Sequence, residues 1–264
     1  MEVFVESVGL LAPGLTGWPA SRAVLTGSAA YVPGELLLPA PEALPAAERR
    51  RTGLPVRLAL NVGLDALARS SRPRDTLASV FTSSGADGQV IHQICETLAG
   101  AERDVSPTRF HNSVHNAPAG YWSIALRSRA PSTSICCFDW SFVAGLLEAC
   151  AYCTVEGDAV LLISYDLPYP EPLHSVRPIA GLLGAALLLG PRATSSCFAK
   201  LDVQIEADGR ESTRMQDPAL EALRCGNPTG RALPLLRALA GPTAATLVFE
   251  YLNGSAVKLT LSPC

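Results

Sequence analysis

The feature that most constrains the fold is a strand–helix–strand pattern in the middle of the chain. Residues 131–135 form a short extended segment, and residues 139–155 carry apolar side chains at helical spacing. A turn at residues 156–158 leads into residues 159–164, a continuous apolar run typical of a strand that is buried on both faces. Two strands joined by a helix over about 35 residues predict a right-handed βαβ unit within a parallel sheet.

Strands and helices alternate along the rest of the chain as well. Such alternation predicts an α/β protein with a layered α/β/α fold. The predicted strands lie at residues 3–9, 77–81, 178–191, 198–205, 245–251 and 256–261, the last two forming a hairpin. The predicted helices lie at residues 46–70, with an interruption near Gly53 and Pro55, and at residues 90–98 and 230–239. Residues 32–46 predict a covering loop.

Composition narrows the class of protein. Of the 264 residues, 48% are hydrophobic and 17% are charged, and the formal net charge is −3. This much apolar surface excludes a disordered tail, and a nucleic-acid-binding protein would carry a basic excess that this chain lacks. Residues 178–191 are too short for a membrane span, which needs about 20 apolar residues. The acidic N-terminus lacks the basic region of a secretory signal, so we expect a cytoplasmic protein.

Eight cysteines are scattered along the chain. In a cytoplasmic protein we expect them to be reduced thiols. Cys150 and Cys153 have the CxxC spacing of redox and zinc sites, but they lie in the apolar helical pattern and no second CxxC is present. We therefore predict that both side chains pack in the core.

Common catalytic and cofactor motifs are missing from the sequence. It contains no GxSxG nucleophile elbow and no Gly-rich phosphate-binding motif, and Lys200 and Lys258 are its only lysines. His111 and His115 have the spacing of two zinc ligands on one helical turn, but Asn112 replaces the catalytic glutamate of that motif and no third ligand is evident. We expect neither a metal ion nor a cofactor, and we place both histidines at a pocket or an interface.

Several segments together resemble a known family. They are Val8-Gly-Leu-Leu-Ala-Pro13, residues 116–124 (Asn-Ala-Pro-Ala-Gly-Tyr-Trp-Ser-Ile), residues 130–141 (Ala-Pro-Ser-Thr-Ser-Ile-Cys-Cys-Phe-Asp-Trp-Ser), Gly184-Ala-Ala-Leu-Leu-Leu189 and residues 253–261. Their order and spacing resemble the N-terminal half of β-ketoacyl synthases. The resemblance implies a thiolase-like layered α/β/α fold with a shortened C-terminal half. Residues 1–190 would be the ketosynthase-like half, and residues 191–264 would complete the same domain.

The chain departs from this family at the catalytic positions. Asp139 occupies the position of the nucleophilic cysteine, which in the family tops a helix whose dipole favours the thiolate. An aspartate there can cap the helix but cannot form an acyl thioester. Cys137 lies on the strand side of the turn, so we expect its thiol to point elsewhere. The family's two histidine motifs are also missing, because His174 is the only histidine after Tyr165. The resemblance therefore implies no catalytic residue in this chain.

Family members without the cysteine include chain-length factors, the inactive partners in ketosynthase heterodimers, and residues 111–123 resemble those of aryl polyene pathways. The resemblance implies a chain-length factor that pairs with a full-length β-ketoacyl synthase, meets an acyl-carrier protein through the complex and shapes the partner's acyl tunnel. Two alternatives stay open: a decarboxylating primer enzyme acting on malonyl-carrier protein, and a free-standing acyl- or partner-binding protein. The candidate tunnel or interface residues are Asn116, Ala117, Gly120, Tyr121, Trp122, Ser132, Ser134, Phe138 and Trp140.

Overall fold

The computed structural model describes residues 1–101, 103–207 and 211–264. The strands are β1 Glu2–Ala12, β2 Leu15–Thr16, β3 Ala78–Thr82, β4 Ser132–Ile135, β5 Val160–Asp166, β6 Leu183–Gly190, β7 Ala199–Glu206, β8 Ala245–Glu250 and β9 Ala256–Pro263. The helices are α1 Trp18–Leu25, α2 Ala46–Arg49, α3 Leu54–Leu67, α4 Gly88–Ala99, α5 Pro107–Asn112, α6 Ala117–Leu126, α7 Ser141–Glu156, α8 Leu173–Val176, α9 Pro218–Gly226 and α10 Leu233–Ala240. Short 3₁₀ turns lie at Phe138–Trp140, Thr229–Ala232 and Leu252–Gly254.

In the described part of the chain, nine strands form one mixed sheet. Eight of them follow the order β4-β3-β5-β6-β1-β7-β9-β8, and β2 pairs with β1. β3 pairs in parallel with β4 and β5, whereas the remaining pairs are antiparallel. The predicted strand–helix–strand unit is confirmed as β4, α7 and β5, but β3 lies between its two strands. The predicted hairpin is confirmed as β8 and β9.

Helices cover both faces of the sheet between β4 and β1. In β5, Val160 and Leu162 belong to one core cluster, whereas Leu161 and Ile163 belong to the other. The first cluster is completed by side chains of α1, α7, α9 and α10, and the second by side chains of α3 and α6. Because successive side chains of a strand point to opposite faces, a continuously apolar strand needs helices on both sides. The predicted α/β/α layering is confirmed here.

The C-terminal strands have helices on one face only. Leu201 and Val203 of β7 are buried in the first core cluster, whereas Gln204 next to them is exposed. Within the layered fold, the described helices thus cover one face of β7, β8 and β9, whose side chains alternate between apolar and polar. β1 pairs with β7, so residues from both predicted halves share one sheet. The division at residues 190 and 191 stays a prediction.

Two cysteines are joined by a disulfide. The expectation of eight reduced thiols is wrong for Cys197 and Cys264, which form a disulfide across 67 residues of sequence. The antiparallel pairing of β7 and β9 brings them together, since one residue precedes β7 and the other follows β9. Cys150 and Cys153 are buried in the core as predicted, and burial raises the pKa of each thiol to about 12.

The apolar segment at residues 178–191 contains the buried strand β6, as predicted. No helix among the described residues is long and apolar enough to cross a membrane. The cytoplasmic location stays a prediction.

Candidate functional site

The carboxyl ends of the three parallel strands meet at one edge of the sheet. β3 runs into Ser83 and Ser84, β4 runs into Cys136 and Cys137, and β5 ends at Asp166. In open α/β sheets, ligand-binding crevices form outside the carboxyl ends of the strands. We therefore take this edge, together with the turn that follows β4, as the candidate site.

Asp139 lies in the 3₁₀ turn Phe138–Trp140 that joins β4 to α7. Its Oδ1 accepts a hydrogen bond from Nη2 of Arg177 at 2.9 Å. The helix itself begins at Ser141, with Trp140 as its N-cap and no side-chain cap. Asp139 therefore does not cap the helix, because the 3₁₀ turn separates the aspartate from its start. The turn carries an ion-paired carboxylate instead.

Phe138 holds the same arginine from a second side. The guanidinium carbon of Arg177 lies 3.6 Å from the centroid of the Phe138 ring, which is a cation–π contact. Phe138 has a φ of 51°, a left-handed conformation that bulky residues rarely adopt, and its side chain is 52% exposed. Backbone strain of this kind clusters at functional positions. Phe138, Asp139 and Arg177 thus form one interacting group, which we name the Asp139 turn.

Ser141 fixes the Asp139 turn through three hydrogen bonds. Its hydroxyl donates to the carbonyl of Phe138 at 2.7 Å and accepts from the amide of Cys137 at 2.9 Å. Its carbonyl accepts from the hydroxyl of Thr82 at 2.6 Å, which ties the turn to the end of β3. Ser141 is not among the candidate residues predicted from the sequence, although a serine at the start of a helical pattern is a signal for such backbone contacts.

A buried carboxylate links the ends of β3 and β5. Oδ1 of Asp166 accepts hydrogen bonds from the amide and the hydroxyl of Ser84 at 2.8 and 2.6 Å, and Oδ2 accepts from the hydroxyl of Thr229 at 2.8 Å. Burial raises the pKa of Asp166, and the hydrogen bonds from Ser84 and Thr229 oppose that shift. Asp166 is not among the candidate residues predicted from the sequence. Its signal was a carboxylate directly after a buried strand.

The two cysteines after β4 lie in surroundings that do not activate a thiol as a nucleophile. Burial raises the pKa of the Cys137 thiol, whereas a reactive cysteine needs a lowered pKa. The thiol of Cys136 is exposed and donates to the carbonyl of Ser84 at 3.4 Å. The raised pKa of the Cys137 thiol supports the expectation that this residue does not replace the family's nucleophile.

The candidate residues at and near α6 fall into two groups. Asn116 and Gly120 are exposed, and a Cβ built on Gly120 would meet no atom within 4 Å. Ala117, Tyr121 and Trp122 are 7%, 1% and 3% exposed, so they belong to the core of this chain. The tunnel or interface role stays a prediction for all five, but only Asn116 and Gly120 can meet a partner without rearrangement.

The two histidines near α6, His111 and His115, contact different neighbours. The hydroxyl of Tyr121 donates to Oδ1 of Asn112 at 3.0 Å, and the ring of His111 packs edge-on against Tyr121 at 5.9 Å. Nε2 of His115 lies 3.1 Å from the carbonyl of Ser83, at the carboxyl end of β3. His111 and His115 therefore act separately. Among the described residues, no group of three or more His, Cys, Asp or Glu side chains is arranged to hold a metal ion.

The serines Ser132 and Ser134 lie on β4, which is the edge strand of the sheet. The amide of Ser83 donates to the carbonyl of Ile135 at 3.3 Å, so Ile135 bonds to β3. Because hydrogen-bonding directions alternate along a parallel strand, Ser132 and Ser134 direct their backbone groups away from β3. In the described part of the chain these groups face an unpaired edge.

A cleft of about 290 Å³ opens beside the Asp139 turn. Phe138, Asp139 and Arg177 line it together with Cys225 and Arg231. The remaining candidate, Trp140, does not line this cleft, and its indole nitrogen is buried without a hydrogen-bond partner among the described residues.

Comparison with known families settles the relationship that the sequence indicated. A model of the β-ketoacyl synthase N-terminal domain matches residues 24–231. The chain belongs to the β-ketoacyl synthase family. The match to this family includes α6, β4 and the Asp139 turn. No curated protein matches the chain.

Solved structures share the fold along the whole chain. The ketosynthase (ApeO) in complex with its chain length factor (ApeC) from Xenorhabdus doucetiae has a TM-score of 0.73 at 23% identity, with 99% of each chain covered. The ishigamide ketosynthase/chain length factor has a TM-score of 0.73 at 13% identity, also with 99% of each chain covered. The AntDE:AntF complex of a type II polyketide acyl-carrier protein with its ketosynthase has a TM-score of 0.74 at 12% identity, covering 100% of this chain and 99% of that one. The predicted thiolase-like fold is confirmed.

Proposed function

We propose that the chain is a non-catalytic ketosynthase-like subunit, a chain-length factor, that pairs with an active β-ketoacyl synthase and shapes the partner's acyl tunnel. The tunnel would hold the growing chains of fatty-acid- or polyketide-type synthesis of the aryl polyene kind, which an acyl-carrier protein delivers through the complex. The fold that the chain shares with complexes of a ketosynthase and a chain length factor supports this assignment.

The ion pair between Asp139 and Arg177 is the observation that carries the proposal. A carboxylate at the nucleophile position cannot form the acyl thioester through which the family works. Here Oδ1 of that carboxylate is also occupied by the guanidinium at 2.9 Å, and the guanidinium is held against Phe138. The turn is thus built around a stable ion pair rather than around a reacting group.

The histidines of the chain support the same conclusion. Condensation needs hydrogen-bond donors placed where charge develops in the transition state. His92 pairs with Glu96 on α4 at 3.2 Å, and His115 contacts the carbonyl of Ser83 at 3.1 Å. His174 follows β5 on the short helix α8, outside either histidine motif of the family.

The exposed edge of β4 supports pairing with another subunit. Unpaired backbone groups on an edge strand are a template for pairing with another chain, and proteins usually blunt such edges with lysine, proline or a bulge. β4 Ser132–Ile135 carries none of these. Helix α6 nearby has no charged residue, yet Gly120 and Ile124 on it are exposed. A helix that is apolar all round is normally buried, so a partner would complete its burial.

Co-expression with a full-length β-ketoacyl synthase from the same pathway tests the pairing. We expect a soluble 1:1 complex by size-exclusion chromatography, with an interface above about 2,000 Å². Ser134→Pro should prevent it, because proline removes the N–H that faces the free edge but is tolerated in an edge strand. Ser134→Ala keeps that N–H and should form the complex. The proposal would be contradicted if the chain formed no complex with the synthase, or if the Ser134→Pro complex were as stable as the wild-type complex.

An activity measurement separates the proposal from its alternatives. The purified chain, incubated with malonyl- and acyl-carrier protein, should release no carbon dioxide and extend no acyl group. Turnover above that of a boiled sample would instead support the decarboxylating primer enzyme. A pull-down from the native host that contains no ketosynthase would support the free-standing binding protein.

A further inference from the structure

We propose that the cleft beside the Asp139 turn binds a small organic anion, a carboxylate on an apolar body, and that Arg231 is the residue that pairs with it. The site would belong to this chain alone, so the inference does not depend on the pairing proposed above.

Arg231 differs from the arginines around it because, among the described residues, its guanidinium has no hydrogen-bond or ion-pair partner. Arg177 is paired with Asp139 at 2.9 Å, and Arg224 is paired with Glu221 at 2.7 Å. Among the described residues, the guanidinium of Arg231 makes neither a hydrogen bond nor an ion pair, although the residue is half-buried. A guanidinium presents a planar fork of donors that matches a carboxylate, so an unpaired one in a cleft is suited to bind that group.

The charges that face Arg231 leave it free for an anion. The cleft of about 290 Å³ holds Arg177 and Arg231 against the single carboxylate of Asp139. Arg231 also lines a neighbouring hollow that contains Glu211 and Glu250. Glu211 is ion-paired with Arg214, and within the described residues neither glutamate pairs with Arg231. The cleft beside the Asp139 turn therefore carries one net positive charge.

Part of the cleft wall is apolar. Val176, Pro178, Ile179 and Pro228 line it, and Ile179 is buried. A volume of about 290 Å³ lies near the lower end of small-molecule sites, which begin at about 300 Å³. An anion that fills such a site gains from apolar contact as well as from the ion pair, so an organic carboxylate should bind better than an inorganic ion.

Two buried nitrogens lie close in sequence to residues that line the cleft. Nε1 of Trp140 and Nδ1 of His174 are buried without a hydrogen-bond partner in the described part of the chain. Trp140 follows Asp139 in the sequence, and His174 precedes Val176 by two residues. Buried polar atoms without a protein partner in a native fold call for water or a bound group. They occur on two of the three segments that form the cleft, although neither Trp140 nor His174 lines it.

Cysteine alkylation tests the site in the full chain. Cys225 lines the cleft and is exposed, whereas Cys95 is exposed on α4 away from it and serves as an internal reference. Iodoacetamide labelling of both thiols is followed by peptide mass spectrometry, with hexanoate, benzoate or inorganic phosphate as the probe. We expect hexanoate or benzoate to slow labelling of Cys225 at least fivefold at saturation and to leave Cys95 unchanged.

Variants show whether Arg231 is responsible. Arg231→Gln should raise at least tenfold the probe concentration that halves the labelling rate of Cys225. Its melting temperature should stay close to that of the wild type, because the guanidinium has no hydrogen-bond or ion-pair partner among the described residues. Arg192→Gln removes the same charge from an exposed position. In this variant the probe should protect Cys225 from labelling as well as it does in the wild type. The inference is overturned by three outcomes: no protection of Cys225, equal protection of Cys95, or equal protection in Arg231→Gln. Phosphate that protects as well as hexanoate would overturn the apolar part of the site.

Discussion

The hydroxyl of Thr229 donates a hydrogen bond to the buried carboxylate of Asp166 at 2.8 Å, and this contact joins the end of β5 to the 3₁₀ turn Thr229–Ala232. The same turn contains Arg231, which lines the cleft beside the Asp139 turn. The partners are 63 residues apart in sequence. One buried carboxylate thus positions a segment of the candidate site relative to the parallel strands.

Asp166→Asn should remove a pH dependence of the free energy of unfolding. Burial raises the pKa of Asp166, so the folded chain keeps a proton that the unfolded chain releases above about pH 4. The stability of the wild type should therefore fall as pH rises from about 4 through the raised pKa, by at most about 1.4 kcal/mol per pH unit. Urea unfolding across this range measures the slope. Asp104→Asn replaces an exposed aspartate and should leave the slope unchanged. Identical slopes in the wild type and Asp166→Asn would contradict the prediction.

Glu221→Gln should lower the free energy of unfolding at neutral pH, and this effect should disappear in acid. Hydrogen bonds from Arg224 hold the pKa of Glu221 at about 2. Because the folded pKa lies below the unfolded value, the stabilisation is complete above about pH 4 and is lost as pH falls through about 2. The difference in urea midpoint between variant and wild type should shrink over that range. Glu42→Gln, on an exposed loop, is the control. A difference that does not change with pH would count against the ion pair.

Phenylalanine at positions 120 and 117 should have different effects. Gly120 is exposed with open space around its Cβ, so Gly120→Phe should fold normally, and the complex with the synthase should make shorter carrier-bound products. Ala117 is buried and lines a hollow of about 10 Å³ with Tyr165, so Ala117→Phe should overpack the core and lower the melting temperature. Mass spectrometry of the carrier-bound products measures the chain length made by the Gly120→Phe complex. Unchanged product lengths in an assembled Gly120→Phe complex would remove the tunnel-wall role.

Gly63→Ala should destabilise the chain by about 1–3 kcal/mol. A Cβ on Gly63 would lie 2.7 Å from the ring of Trp122 and 2.8 Å from the side chain of Ile163, so either α3 or α6 must shift. Gly34→Ala introduces the same methyl where no atom lies within 4 Å and should change little. Chemical denaturation compares the two. Equal stability of Gly63→Ala and the wild type would show that Trp122 is not tightly packed.

Asp139→Cys should fail to create condensing activity. The new thiol would lose the ion pair with Arg177, and the chain lacks both histidine motifs that stabilise the developing charges in the family. Release of carbon dioxide and extension of acyl-carrier protein are the readouts, with Asp139→Ser as the matched variant. Activity in Asp139→Cys that exceeds that of Asp139→Ser would show that a thiol alone restores catalysis.

Most elements of the fold could be predicted because their signals are local. Apolar runs identified β1, β3, β5 and β6, and helical spacing identified α3, α4 and α7. The family was also predictable, since its segments keep their order around the Asp139 turn. The start of α7 was placed two residues early, because apolar spacing does not distinguish a 3₁₀ turn from the first turn of an α-helix.

The sequence by itself determined the strands other than β2, the helices α3, α4, α7 and α10, the family and the aspartate at the nucleophile position, because periodicity and motif order depend only on neighbouring residues. Only the tertiary structure decided that β3 separates β4 from β5, that Arg177 meets Asp139 and that Thr229 meets Asp166. These contacts join residues 38 and 63 positions apart, and local spacing carries no information on such pairs. The same holds for α6. It is apolar all round, so only its packing against α3 and β3 decided that Trp122 is buried and Gly120 is exposed.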